Sequence, residues 1–250
     1  FATTAAGIPE IGEYVFRVAT TGAVGTPALL KYAKEAYSLK NIAIFSSLNN
    51  DYSVAARKDF VNGAEQNGLE IVGDETYSDG DTNFSAQVNK IMSANPDAIV
   101  LAGYPTEGAL IAIEARKQGF TGVFMGGDGM IDSETLSKIG GEATENSIYF
   151  GGYNAGYDNP ISKEFVKSFT EKYGHEPESA AAGAYDAVMM MANAMKKSGP
   201  DRKAFRDEFA KTQGHQGVSG EISFDENREV VKTTFIFEYR DGNFYLIDTV

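Results

Sequence analysis

Residues 41–72 read NIAIFSSLNNDYSVAARKDFVNGAEQNGLEIV, and the spacing of their apolar side chains changes twice. Asn41–Ser47 is a short run rich in Ile, Ala and Phe, suited to a strand buried on both faces. Beyond it the period is helical. Ala56, Phe60 and Ala64 recur every fourth residue with Val61 beside them, which makes one apolar stripe. Gly68 supplies the helix stop, and "LEIVGDETY" opens the next strand. Two such strands joined by a helix are parallel, with a right-handed crossover.

The unit recurs along the chain. Upstream, "TPALLKYAKEAY" is a second amphipathic helix. Downstream, a helix over Ser85–Ser93 turns Val88 and Ile91 inward and ends before Pro96, ahead of the apolar strand "AIVLAG" (Ala98–Gly103). A helix near Glu107–Gln118 stops at Gly119 and leads to the strand "GVFMGG" (Gly122–Gly127). Repeated β-α units predict a parallel sheet with helices on both faces. Past Asn146 the character changes. "SIYFGG" is a strand, "ISKEFVKSFTEKYG" a helix with Phe165, Phe169 and Tyr173 on one face, and a third helix runs from Asp201 to about Thr212. Between these helices, "SAAAGAYDAVMMMANAMKKSG" is apolar over most of its circumference and is expected to lie enclosed by other elements. The end of the chain alternates, with Thr233, Phe235 and Phe237 on one side, Phe244 and Leu246 on a further strand, and Asp241-Gly242 as the hairpin turn.

Composition excludes several classes of function. A hydrophobic share of 42% is enough for a core that needs neither metal nor disulfide, and the chain has no Cys, so thiolate chemistry is absent. Twenty-two Lys plus Arg against 35 Asp plus Glu leave a formal charge of −13, a field that repels nucleic acid and anionic membrane surfaces. "TTGAVGTP" lacks the G-x-G-x-x-G spacing of a dinucleotide site, and no Walker A motif, G-x-S-x-G nucleophile or His pair with metal-ligand spacing occurs. No cofactor, no metal and no catalysis are expected.

In open parallel sheets, ligands sit beyond the carboxyl ends of the strands, where helix N-termini converge. That rule selects Ser46, Ser47, Asn49, Asp51 and Tyr52 after the first strand, with Ser53 as a helix cap. After the third strand it selects Tyr104, Pro105, Thr106 and Glu107, with Thr106 as a cap, and after the fourth Asp128 and Gly129. Tyr52 and Tyr104 offer flat apolar walls with hydroxyls, and Asp128 offers a carboxylate for a cation, an ammonium group above all. Each has a plainer role open to it: the tyrosines as packing residues, Asp128 as an Asx-turn.

Several stretches together resemble the type I periplasmic binding proteins, and within them the leucine/isoleucine/valine-type amino-acid receptors of ABC transporters. They are "YVFRVATTG", residues 41–72, "NPDAIVLAGYPTEGALIAIEARKQGF", "GGDGM", "AAGAYDAV" and "GVSGEISFDENREVV", in the family's order over almost the whole chain. The resemblance implies a two-lobed α/β fold with parallel sheets flanked by helices and the ligand trapped between lobes that close on it. It implies that Thr3 and Thr4 of "ATT" hold the ligand's α-carboxylate. Tyr52 (with Ser53 in place of the usual Gly) and Tyr104 line the site, and Asp128 takes the ammonium. Tyr185 is read as structural.

The resemblance also implies an incomplete first lobe, made of residues 1–16 and 150–212 with the crossing segments, and a second lobe of residues 17–149 and 213–250. A missing N-terminal segment or another chain would then complete the first lobe. The implied function is extracytoplasmic capture of a small zwitterion, an amino acid that is branched-chain or otherwise hydrophobic, for an ABC-transporter permease, at the periplasm or the extracellular face of the cell membrane, as a lipoprotein or free. A sensing domain of a signalling protein, or a receptor for an amide or aromatic acid, are the alternatives.

Overall fold

The structure, a computed structural model, describes residues 7–250. It divides into two compact units. The larger comprises Gly22–Gly151 and Ile236–Val250; the smaller comprises the residues up to Thr21 and Gly152–Phe235.

The larger unit opens with helix α1 (Gly22–Tyr37) and then alternates β1 (Asn41–Ser47), α2 (Asp51–Asn67), β2 (Glu70–Tyr77), α3 (Ser85–Ser93), β3 (Ala98–Ala102), α4 (Pro105–Lys117) and β4 (Val123–Gly126). A short helical stretch, α5 (Ser133–Thr135), runs into a π-turn over Leu136–Gly140, and β5 (Ser147–Gly151) follows. β1 pairs in parallel with β2 and β3, β3 with β4, and β4 with β5, in a seven-stranded sheet. The expected alternation is therefore present, element for element.

β1 is apolar without interruption because both of its faces are covered. Ile42 and Ile44 join Leu29 and Leu30 of α1 and Phe60 of α2 in one core, while Ala43 and Phe45 join Val88 and Ile91 of α3 and Ile111 of α4 in the other. α2 ends at Gly68, whose φ of 60° is the left-handed cap expected of it. The helix starts differ from expectation. Asn50 caps α2 by accepting from the Ser53 amide at 3.2 Å, and Tyr104 holds the cap position of α4, so neither Ser53 nor Thr106 is a cap.

In the smaller unit, α6 (Pro160–Tyr173), α7 (Ser179–Ser198) and α8 (Arg202–Ala210) precede an antiparallel sheet of β6 (His215–Gly217), β7 (Gly220–Phe224) and β8 (Val230–Lys232). Two cores hold it. One gathers Val18, Met190, Phe209, Ile222 and Phe224; the other gathers Tyr153, Phe165, Ala182 and Val218. Buried Asp186 of α7 accepts from the amides of Val218 (2.7 Å) and Ser219 (3.0 Å) and from the Ser219 hydroxyl (2.5 Å). That hydroxyl in turn accepts from Lys232 Nζ at 2.6 Å. Burial pulls the Lys232 amine down to about 8, against the pull of Asp186.

β9 (Phe235–Arg240) and β10 (Asn243–Thr249) return to the edge of the larger unit's sheet beside β5, giving the order β10-β9-β5-β4-β3-β1-β2. Asp241 and Gly242 both take positive φ between them, as the hairpin signal requires.

Three expectations are corrected here. Residues 213–235 pack with the smaller unit, so the 213–250 segment is shared between the two units. The first lobe, expected as an incomplete one needing a further segment or chain, is seen instead as a compact unit with its own sheet and two cores. Sequence periodicity could not show that a short antiparallel sheet, built from "HQG", "GEISF" and "VVK", joins these helices. Finally, α7 is not enclosed: Ala182, Gly183, Asp186, Met190 and Ala194 are buried, whereas Val188, Met189, Met191 and Met195 are exposed.

Candidate functional site

The order β4-β3-β1 sets three carboxyl ends side by side, and each carries one of the expected residues. Tyr52 is the second residue of α2, Tyr104 stands between β3 and α4, and Asp128 follows β4 across Gly127. The Tyr52 hydroxyl donates to Asp128 Oδ1 at 3.0 Å and accepts from the Gly129 amide at 2.8 Å. The Tyr104 ring stacks on Tyr52, with centroids 5.2 Å apart and planes 28° from parallel. Tyr104 remains 41% exposed, enough for its outer face to meet a ligand. Thr3 and Thr4 lie outside the described residues.

The chain folds this way locally because small residues leave room for the tyrosine. A Cβ on Gly129 would stand 2.4 Å from the Tyr52 ring, and one on Gly127 3.0 Å from its hydroxyl. Ser53, next to Tyr52, is buried: its hydroxyl donates to the Ala102 carbonyl at the end of β3 and accepts from the Ser47 amide at the end of β1 (2.6 Å). Ser53 thus pins the first turn of α2 to two strand ends and fixes where Tyr52 emerges. The sequence offered no signal for this, since its only visible trait was a position suited to capping.

Electrostatically the cluster is a carboxylate short of a cation. Burial pushes the Asp128 carboxyl above the ordinary carboxylate range, opposed by hydrogen bonds from Tyr52 and from the Gly129 and Asp128 amides. The Tyr52 phenol is pushed far up by burial first and by Asp128 second, so it stays a neutral donor. Among the described residues, no Lys, Arg or His forms an ion pair with Asp128. Three other strand-end residues bond within the scaffold. Ser47 donates to Asn49 at 2.8 Å, and Glu107 accepts from the Gly80 amide at 3.0 Å. Tyr185 lies in the smaller unit with its ring 4.8 Å from Phe165, in keeping with a packing role. Among the described residues no group of three potential metal ligands occurs, and no helix is long and apolar enough to cross a membrane.

Comparison with known proteins places this geometry. Residues 2–243 match the family described as periplasmic binding protein. A Leu/Ile/Val-binding protein homolog of Brucella abortus is 31% identical over 165 residues, which are 65% of this chain and 44% of that protein. The chain thus spans under half the length of that relative. The solved leucine binding protein LivK of Thermotoga maritima is 34% identical with a TM-score of 0.84, covering 97% of this chain and 69% of its own. The LivJ substrate binding protein of Streptococcus pneumoniae, solved with isoleucine, is 30% identical with a TM-score of 0.81, covering 99% and 70%. Both superpositions run over nearly all of this chain, the smaller unit included. With the family match running over almost its whole length, the chain belongs to the periplasmic binding protein family.

Proposed function

We propose that this chain is the ligand-binding part of an extracytoplasmic receptor that captures an amino acid with an apolar, branched side chain and presents it to an ABC-transporter permease. It binds its solute and does no chemistry on it. The observation that carries the reading is Asp128: a partly buried carboxylate, under two stacked tyrosines, whose side-chain partner among the described residues is a neutral phenol. A carboxylate so placed is stabilised by an incoming cation, and in an amino acid that cation is the ammonium group. Tyr104 supplies the apolar wall. Thr3 and Thr4 are proposed to hold the α-carboxylate, as the family resemblance implies. The names of the similar proteins, which speak of leucine, isoleucine and valine, support the choice of solute.

Isothermal calorimetry against leucine, isoleucine and valine tests this. Binding of at least one is expected, and Asp128→Ala should weaken it by roughly 2–4 kcal/mol, since it removes a charge-assisted bond inside a partly dry site. Undiminished affinity in Asp128→Ala would refute the role given to the carboxylate.

A further inference from the structure

The two oxygens of Asp128 are not equivalent. Oδ1 accepts the Tyr52 phenol proton, and because that phenol itself accepts from the Gly129 amide, its own proton is committed to Asp128. Oδ2 receives no side-chain donor from any described residue. The groups facing Asp128 from the packed elements are Tyr52 on α2 and, in its own turn, the amides of Asp128 and Gly129, with Tyr104 reaching it only through Tyr52. None carries a positive charge. Among the described residues none brings a positive hydrogen to Oδ2, which leaves it open to a solvent proton or to one hydrogen of a ligand ammonium.

We infer that ligand capture at this site releases a proton, because the ammonium group and a proton compete for the same carboxylate oxygen, Oδ2 of Asp128. This rests on the reading of the site as an ammonium receptor and adds its regulation. When Asp128 of the unliganded protein is protonated, the proton sits on Oδ2, because Oδ1 already accepts from Tyr52. When the amino acid binds, that proton passes to the solvent, the carboxylate becomes charged, and the ligand keeps its own three ammonium hydrogens. Charges balance: the zwitterion brings no net charge, and the proton released to solvent matches the negative charge left on Asp128. The upward displacement of the Asp128 carboxyl by burial brings this exchange toward milder pH than an exposed aspartate would show. The receptor therefore loses its solute as its surroundings acidify.

Calorimetric titration of the chain with L-leucine between about pH 4 and pH 7, where the free amino acid stays a zwitterion, reads the linkage directly. Affinity is expected to weaken on the acid side, approaching about tenfold per pH unit. Heats in two buffers of different ionisation enthalpy should differ there by up to one proton per leucine and converge near neutrality. Tyr52→Phe, which removes a donor to the charged form, should move the onset to higher pH. Asp128→Asn should bind weakly and without pH dependence. Leucine binding whose affinity is flat with pH, or whose heat is independent of buffer, overturns the proton linkage while leaving the amino-acid receptor standing. No binding of leucine, isoleucine or valine at any pH overturns both.

Discussion

Asp128 in the larger unit and Asp186 in the smaller one are both carboxylates withdrawn from water, and their surroundings could hardly differ more. Asp186 is 1% exposed; it accepts from two amides and a serine hydroxyl, and Lys232 stands behind that hydroxyl. Asp128 has the amides of its own turn, one neutral phenol on Oδ1 and, among the described residues, no cation. The first arrangement is finished: both oxygens have donors, and the network ties α7 to the turn between β6 and β7 and, through Ser219, to β8. The second is held open by its framework, with glycines 127 and 129 leaving room for Tyr52 and Ser53 anchoring the turn beneath it. On the proposed reading, the carboxylate that the fold satisfies is a structural part, and the one left short of a cation is the binding part.

The sharpest way to break this contrast is to remove the finished carboxylate. Asp186→Ala strands Lys232 and the amides of Val218 and Ser219, and should destabilise the smaller unit by about 3–5 kcal/mol in urea unfolding followed by circular dichroism. A loss as small as that of an exposed aspartate would erase the distinction. A smaller effect is expected from Gly129→Ala. The new methyl collides with the Tyr52 ring and separates Tyr52 from Asp128, so leucine affinity should fall by roughly 1–3 kcal/mol while the unfolding midpoint shifts little. Equal losses of affinity and stability would make the glycine a packing residue only.

The smallest effect sharpens the finished side. The Lys232 amine sits near 8 when folded and near its ordinary 10.5 when unfolded, so between those values the unfolded chain holds more protons. Stability from this group therefore rises with pH across that window, by about 1 kcal/mol per unit, and is lost as pH falls toward 8. Urea midpoints measured from neutral to alkaline pH should show this slope in the parent chain and lack it in Lys232→Met.

Much of the larger unit was legible from local signals. The four-residue stripe of Ala56, Phe60 and Ala64, the stop at Gly68 and the uninterrupted apolar run at Asn41–Ser47 each depend on neighbours in sequence, and each element appeared where expected. The strand-tip rule picked Tyr52, Tyr104 and Asp128, and the sheet order brings the three together. Local signals failed where the partner was distant. "NNDYS" holds several residues able to cap a helix, and Asn50 takes that place while Ser53 turns to Ala102, 49 positions away. Lys232, in an alternating stretch, is 8% exposed, and nothing in its neighbouring sequence marks it for burial. The packing of β6, β7 and β8 with the smaller unit carried no mark in their own composition.

By itself the sequence determined the β-α alternation, the sheet that follows from it, the resemblance to a binding-protein family and the three side chains at the strand tips. Each of these is written in spacing along the chain. Only the tertiary structure decided which buried carboxylate has its donors and which lacks a cation, how Ser53 is used, and where residues 213–235 belong. The physical reason is that electrostatic satisfaction and domain membership are set by groups far apart in sequence, brought within a few ångströms by folding.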